Sequence, residues 1–224
     1  MIFLMKKYLI LDMGNVLVES TTGSWFITPT FIENVDNKKL NIQNAMELTK
    51  NGSKILDEKA ETLEEEYVII KKFYKDLFER LNYNIKNENL ENIVKDFVYN
   101  ENENKYVLFN DVKKELNRLS NKYEILMLSD NWPCGIEFLK KHDIYKYFTK
   151  VYISSIYGIK KCEKILFDYP IKEFNIKKGE AIFVDDIEKL LDIGTEKGFD
   201  VRLMDRKKSV NNSKYKVINS LKDL

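Results

Sequence analysis

The stretch Tyr8-Leu9-Ile10-Leu11-Asp12, running on into Met13-Gly14-Asn15-Val16, decides the fold. A short unbroken apolar run closing on a carboxylate is what a strand buried on both faces produces. Two further runs repeat it, Tyr123–Ser129 (YEILMLS) and Ala181–Asp185 (AIFVD), and each again ends in an oxygen-bearing side chain. Val151–Ser154 (VYIS) reads as a weaker fourth strand and Val201–Met204 (VRLM) as a fifth. Helical patterns separate them: Asp111–Asn121 with Val112, Leu116 and Leu119 inward, then Pro133–His142, then Ile187–Lys197. Strand and helix alternating in this way predict an α/β fold, a doubly wound parallel sheet covered on both faces.

From about Ser20 to Tyr106 the alternation stops and no strand is expected. Thr62 and Glu65 have the spacing of a capping box, after which Leu63, Tyr67, Ile70, Tyr74, Leu77 and Leu81 form a one-sided helical seam. Leu90, Ile93, Val94, Phe97 and Val98 offer a partner face, and Leu40–Leu48 a second. The expected organisation is a core made of residues 1–19 and 107–224, with an inserted all-helical unit over 20–106. The aromatic residues of that insertion read as bundle core.

The 224 residues carry 37 basic and 36 acidic side chains, so the chain lacks the positive field that a nucleic acid or anionic membrane partner needs. Only 8 Gly and 3 Pro argue against a linker or collagen-like chain. Cys134 and Cys162 form no CxxC pair, which fits neither a disulfide framework nor a zinc cluster and suits a reducing cytoplasm. The apolar opening Met1–Met5 has its lysines after it, the wrong order for a signal peptide, and Met5 is an equally good start. No run approaches the length of a bilayer span.

In an open parallel sheet, ligands bind beyond the carboxyl ends of the strands, so Asp12, Ser129 and the pair Asp185 and Asp186 should converge on one crevice. At an effective dielectric near 20, two unit charges about 4 Å apart repel by roughly 4 kcal/mol. Such a cluster must hold protons or recruit a cation, and a hard divalent ion with oxygen ligands, most naturally Mg²⁺, answers the need.

Asp12, Ser129, Lys161 and Asp185/Asp186, in that chain order, carry a resemblance to the haloacid dehalogenase-like (HAD) hydrolase superfamily, in the subfamily with a helical cap after the first strand. Its four motifs resemble LILDMGNVLV (Leu9–Val18), LMLSDNWP (Leu126–Pro133), SSIYGIKK (Ser154–Lys161) and IFVDD (Ile182–Asp186). The resemblance implies a Rossmann-like core and a Mg²⁺-dependent phosphatase of a small phosphorylated metabolite. Asp12 would be the nucleophile, forming an aspartyl-phosphate. Ser129 and Lys161 would hold the transferring phosphoryl group, with Asp130, Asn131 and Gly14 around it, and Lys160 is the neighbouring alternative for the motif lysine. Asp12, the Gly14 carbonyl, Asp185 and Asp186 would ligate the metal. The order excludes a response-regulator receiver, whose acidic pair lies at the first strand.

Several positions depart from the family pattern. Gly14 stands where phosphatases carry a second aspartate, the general acid, a function typically worth ~10²–10⁴ in rate. Glu19 is a candidate substitute. Cys162 replaces the proline after the motif lysine, Leu190 replaces an asparagine, and Tyr169-Pro170 interrupts an expected helix. The alternative reading is therefore a catalytically degenerate member that binds phosphate and metal. The dehalogenase branch also lacks the second aspartate, but the acidic pair suits a metal-dependent member, and the early insertion shows no arginine placed to hold a halide. Trp25, Phe26 and Trp132 could shape the pocket. His142 reads as a residue near a helix end, not a base. Oligomeric state is not legible in the sequence.

Overall fold

The computed structural model describes residues 7–50, 52–100 and 104–224; the opening segment Met1–Met5 lies outside them. In chain order the elements are β1 (Tyr8–Leu11), β2 (Val18–Ser20), α1 (Pro29–Glu33), α2 (Ile42–Lys50), α3 (Leu63–Arg80), α4 (Asn87–Tyr99), β3 (Tyr106–Leu108), α5 (Val112–Ser120) and β4 (Glu124–Ser129). They continue with α6 (Pro133–Lys141), β5 (Phe148–Ile153), α7 (Ser154–Tyr157), α8 (Asp168–Phe174), β6 (Ala181–Asp185), α9 (Glu188–Glu196), β7 (Asp200–Met204) and β8 (Lys216–Ile218).

Six strands form one sheet in the order β5-β4-β1-β6-β7-β8, every pair parallel. The chain winds outward from β1 in one direction and then returns to wind in the other, the Rossmann-like arrangement whose order reverses beside the first strand. Side chains alternate across it. Leu9, Leu11, Ile125, Met127, Ile182 and Val184 face a core shared with α5 and α6. Ile10, Leu126, Leu128, Phe183, Val201 and Leu203 face a second core under α8 and α9. Both faces are therefore dry, which is why the strands read as continuous apolar runs.

Strand bounds differ modestly from expectation. The fourth strand starts earlier, at Phe148, and Ser154 already opens α7. The edge strand β8 was not expected; only three residues long, with Lys216 and Val217 exposed, it lacks an apolar run. Nor is the insertion free of strand. β2 and β3 pair antiparallel, Ser20 opposite Tyr106 and Val18 opposite Leu108, so a two-stranded ribbon straddles both expected boundaries. Three-residue strands carry too little periodicity to be recognised.

Between β2 and β3 the described chain is helical. The Thr62–Glu65 capping box opens α3 as expected, but the buried face is broader and rotated relative to the proposed seam. Ile69, Phe73 and Phe78 are buried beside Ile70, Tyr74 and Leu77, while Leu63, Tyr67 and Leu81 are half-buried. Stacked rings, Phe31 on Phe78 and Phe26 on Phe97, join α1 and the segment before it to α3 and α4. Tyr169-Pro170 does not break a helix. Pro170 is the third residue of α8, within the first turn, where the missing N–H has no intrahelical partner to lose.

Candidate active site

The turn after β1 is tight. Leu17 and Val18 donate their amides to the Met13 carbonyl at 2.8 and 3.1 Å, and Asn15 takes a left-handed conformation (φ 51°) that asparagine tolerates better than most residues. Arg206, from the segment after β7, donates to the Val16 carbonyl at 2.6 Å and to Asp111, bracing the turn from outside. Asp12 is thereby fixed at the carboxyl end of the central strand.

Asp185 ends β6, adjacent to β1, and Asp186 follows it. One oxygen from each of Asp12, Asp185 and Asp186 lies within 4.8 Å of the others. Lys161 reaches into this cluster, its ammonium 2.9 Å from Asp12 Oδ1 and 2.7 Å from Asp185 Oδ2. It is 2% exposed, whereas Lys160 is exposed and pairs with Asp57. The structure thus brings Lys161, not its neighbour, to the acidic cluster. The backbone N–H of Lys161 also donates to Asp130 Oδ1 at 2.9 Å.

Ser129 is buried at the end of β4 and does not line the cavity beside Asp12, although it occupies the expected strand end. Asp130, Asn131 and Gly14 do line that cavity. Asn131 also ties the loop after β4 to its neighbours: its backbone N–H donates to Ser154 Oγ at 3.2 Å, and its side-chain oxygen accepts from Trp132 N at 2.8 Å. Gly135 sits so close that a Cβ there would meet the Asn131 side chain at 3.0 Å.

Electrostatically the cluster is short of positive charge, with one ammonium among three carboxylates. Burial pushes the Asp185 carboxyl up to about 7 and Asp186 upward as well, with Asp12 adding repulsion to both. Asn15, to which sequence reading gave no role, donates to Asp186 Oδ2 at 2.8 Å; an asparagine inside the turn that follows the first aspartate was its only signal. The donor set fits Mg²⁺. All three supply hard carboxylate oxygens, gathered within 4.8 Å of one another, the donor type such an ion prefers.

Above the cluster lies a cavity of 270 Å³. Its far walls are aromatic: Trp25 and Phe26 from the segment after β2, Phe97 from α4, Tyr106 from β3 and Trp132 from the loop before α6. Phe97 and Tyr106 were expected only as bundle core. Leu190, at the family's asparagine position, also lines the cavity. Glu19 does not; it lies on β2 opposite Val107. His142 caps the end of α6 against the Phe138 ring. The two cysteines are free thiols, and among the described residues no helix is long and apolar enough to cross a membrane.

Comparison with known proteins agrees with this geometry. Residues 6–191 match the haloacid dehalogenase-like hydrolase family, and the chain belongs to that family. It is 32% identical to a D-ribitol-5-phosphate phosphatase of Bacteroides thetaiotaomicron over 89 residues, which span 37% of this chain and 43% of that relative. A magnesium-bound HAD hydrolase from Bacillus subtilis superposes with a TM-score of 0.72 at 13% identity, covering 97% of this chain and 96% of the other. The L-2-haloacid dehalogenase of Xanthobacter autotrophicus gives a TM-score of 0.69 at 12% identity over 98% and 96% of the two chains. At such identities the superpositions speak to the fold alone.

Proposed function

We propose that this hydrolase is a Mg²⁺-dependent phosphomonoesterase of a small phosphorylated substrate, working through an aspartyl-phosphate on Asp12. The observation that carries the reading is the meeting of Asp12, Lys161 and the Asp185/Asp186 pair, of which Asp12, Lys161 and Asp186 line one cavity. The partial match to a phosphatase supports it.

Each residue then has a physical task. The carboxylate of Asp12 attacks phosphorus, splitting one difficult displacement into two. Lys161, fixed between Asp12 and Asp185, opposes the charge on the phosphoryl oxygens with an ammonium that needs no reorganisation. Mg²⁺, held by Asp12, Asp185, Asp186 and the Gly14 carbonyl, would screen the two anions that must approach and polarise the phosphoryl oxygen. Asp130 and Asn131 complete the phosphoryl pocket, with Ser129 buried behind them at the end of β4. Residues 20–106 act as a cap whose aromatic side chains exclude water from it.

The test is hydrolysis of p-nitrophenyl phosphate or acetyl phosphate with and without Mg²⁺, beside Asp12→Asn. Activity that requires the metal and disappears in the variant is expected. Turnover retained by Asp12→Asn removes the nucleophile assignment. Phosphate-dependent thermal stabilisation without turnover on a broad panel would favour the degenerate reading, which the absence of an aspartate at Gly14 motivates.

A further inference from the structure

Gly14 and Trp25 occupy one space. A Cβ built on Gly14 would stand 3.3 Å from Cζ2 of Trp25 and 3.8 Å from Asp12 Oδ2. The indole therefore lies where a side chain two residues beyond Asp12 would enter the site. Even a Cβ there would press the ring back by a few tenths of an ångström. Trp25 is itself held edge-on against Tyr106, with centroids 5.7 Å apart.

Two properties of the cavity follow. First, proton donors are poor on the side facing the aromatic wall. Glu19 does not line the cavity, and the Tyr106 hydroxyl has its ionisation pushed up to about 12 by burial. Asp130, whose carboxyl burial pushes upward, is among the described residues the one lining carboxyl outside the metal cluster, and its Oδ1 is tied as acceptor to the Lys161 amide. Second, the wall offers little to a polar substrate. Phe26 stacks on Phe97 at 5.6 Å, and Trp25, Trp132 and Leu190 extend this apolar wall; the polar lining residues Asn15, Asp130 and Asn131 are engaged with Asp186, the Lys161 amide and Trp132 N. Lys161 is the one cation among the described residues that line the cavity, and it is already shared by two carboxylates.

We infer that the substrate is an aryl phosphomonoester, whose aromatic ring packs against Trp25 and Phe26 and whose phenolate departs without a proton from the enzyme. This rests on the phosphatase reading of Asp12. A polyol or sugar would leave several hydroxyls unpaired against the aromatic wall, and a second phosphate or a carboxylate would find no cation. A phenolate has a conjugate acid near 10, the ordinary value of tyrosine, whereas an alkoxide is about as basic as hydroxide, whose conjugate acid is water at 15.7. Only the phenolate is a good leaving group when no acid helps.

In the balanced reaction, an Asp12 oxygen bonds to phosphorus as the P–O bond to the ring breaks. The electron pair leaves on the phenolate, which takes its proton from solvent. Water then bonds to phosphorus, the P–O bond to Asp12 breaks, and the water proton passes to solvent with release of inorganic phosphate.

The test compares kcat/KM with Mg²⁺ for phenyl phosphate, benzyl phosphate and D-ribitol 5-phosphate, which separates leaving-group acidity from ring recognition. Phenyl phosphate should exceed benzyl phosphate by roughly 10²–10⁴-fold, the usual worth of a general acid. Benzyl phosphate should exceed the ribitol ester. Trp25→Ala should reduce both aromatic esters by roughly 3- to 10-fold while sparing the ribitol ester. The double variant Gly14→Asp/Trp25→Ala should narrow the gap between phenyl and benzyl phosphate. Equal rates for phenyl and benzyl phosphate would show that a proton is supplied, and a ribitol ester hydrolysed as fast as phenyl phosphate would show that the wall does not select; either overturns the inference and leaves the phosphatase reading intact. No hydrolysis of any of the three would instead remove the phosphatase reading, and this one with it.

Discussion

Oε2 of Glu66, on α3, accepts a hydrogen bond from the backbone N–H of Cys134 in the first turn of α6 at 2.8 Å. A residue of the inserted helices thus caps a helix of the sheet layer that has no side-chain cap of its own. A carboxylate there is favoured by the helix dipole. Its surroundings are otherwise unfavourable: Glu66 is 0% exposed, and its other oxygen has no hydrogen-bond partner among the described residues. Lys105, whose ammonium donates to the Phe97 carbonyl at 3.0 Å, is the nearby countercharge.

Burial pushes the Glu66 carboxyl up from 4.5 to about 7. A folded-state value above the unfolded one means that the folded protein binds the proton more tightly. The cost of the ionised group is then absent below about pH 4.5, grows as pH rises, and is complete above about 7. It amounts to up to about 3 kcal/mol. Glu66→Gln, which keeps the capping acceptor, should match the wild type in urea denaturation at pH 4.5 and exceed it at pH 8. A constant difference across that range would count against the assignment.

Removing the ammonium of Lys161 should be costly. Lys161→Met leaves Asp12 and Asp185 buried without their shared partner, and breaking a buried pair costs about 3–5 kcal/mol. The melting temperature should fall sharply, and Mg²⁺ should recover part of the loss by supplying the missing charge. A variant as stable as the wild type without metal would contradict the coupling described here.

Metal affinity should depend on pH. The carboxylates proposed as ligands must be ionised to bind the ion, and burial pushes Asp185 up to about 7. The Mg²⁺-induced rise in melting temperature should therefore be large at pH 8 and shrink as pH falls through 7 toward 6. An unchanged shift at pH 6 would place the ion elsewhere.

Two glycines should separate stability from activity. A Cβ at Gly194 would meet Phe183 Cδ1 at 2.8 Å and Val201 Cγ1 at 3.2 Å, inside the core under α9. Gly194→Ala should cost about 1–3 kcal/mol by overpacking and leave kcat/KM of the folded fraction intact. Gly135→Ala presses on Asn131 at 3.0 Å and should lower kcat/KM more than it lowers stability.

The central strands and the acidic cluster were legible because both reduce to local patterns: an apolar run buried on two faces, and a polar residue at its end. Chain order then placed Asp12 next to Asp185, since β1 and β6 are neighbours in a doubly wound sheet. Other features have no local signature. The Glu66, Lys105 and Cys134 cluster assembles from three distant segments, and nothing in the sequence of α3 distinguishes Glu66 from Glu64 except the face it happens to occupy. Phe97 and Tyr106 looked like any buried aromatic residue until their shared wall was visible. Lys161 could not be told from Lys160 by composition; which of the two points inward depends on the turn set by Gly158, whose φ is 65°.

The ribbon of β2 and β3 holds Ser20 opposite Tyr106, so the chain leaves and re-enters the sheet layer at one spot. Two cuts made side by side would free the whole helical segment with Trp25, Phe26 and Phe97, leaving Tyr106 and Trp132 behind, and the stumps would already be aligned to accept another. On the proposed reading, the reacting end of the site can be inherited unchanged while much of its recognising end is swapped as a cassette, and a transplant of residues 21–105 from a relative should then change specificity.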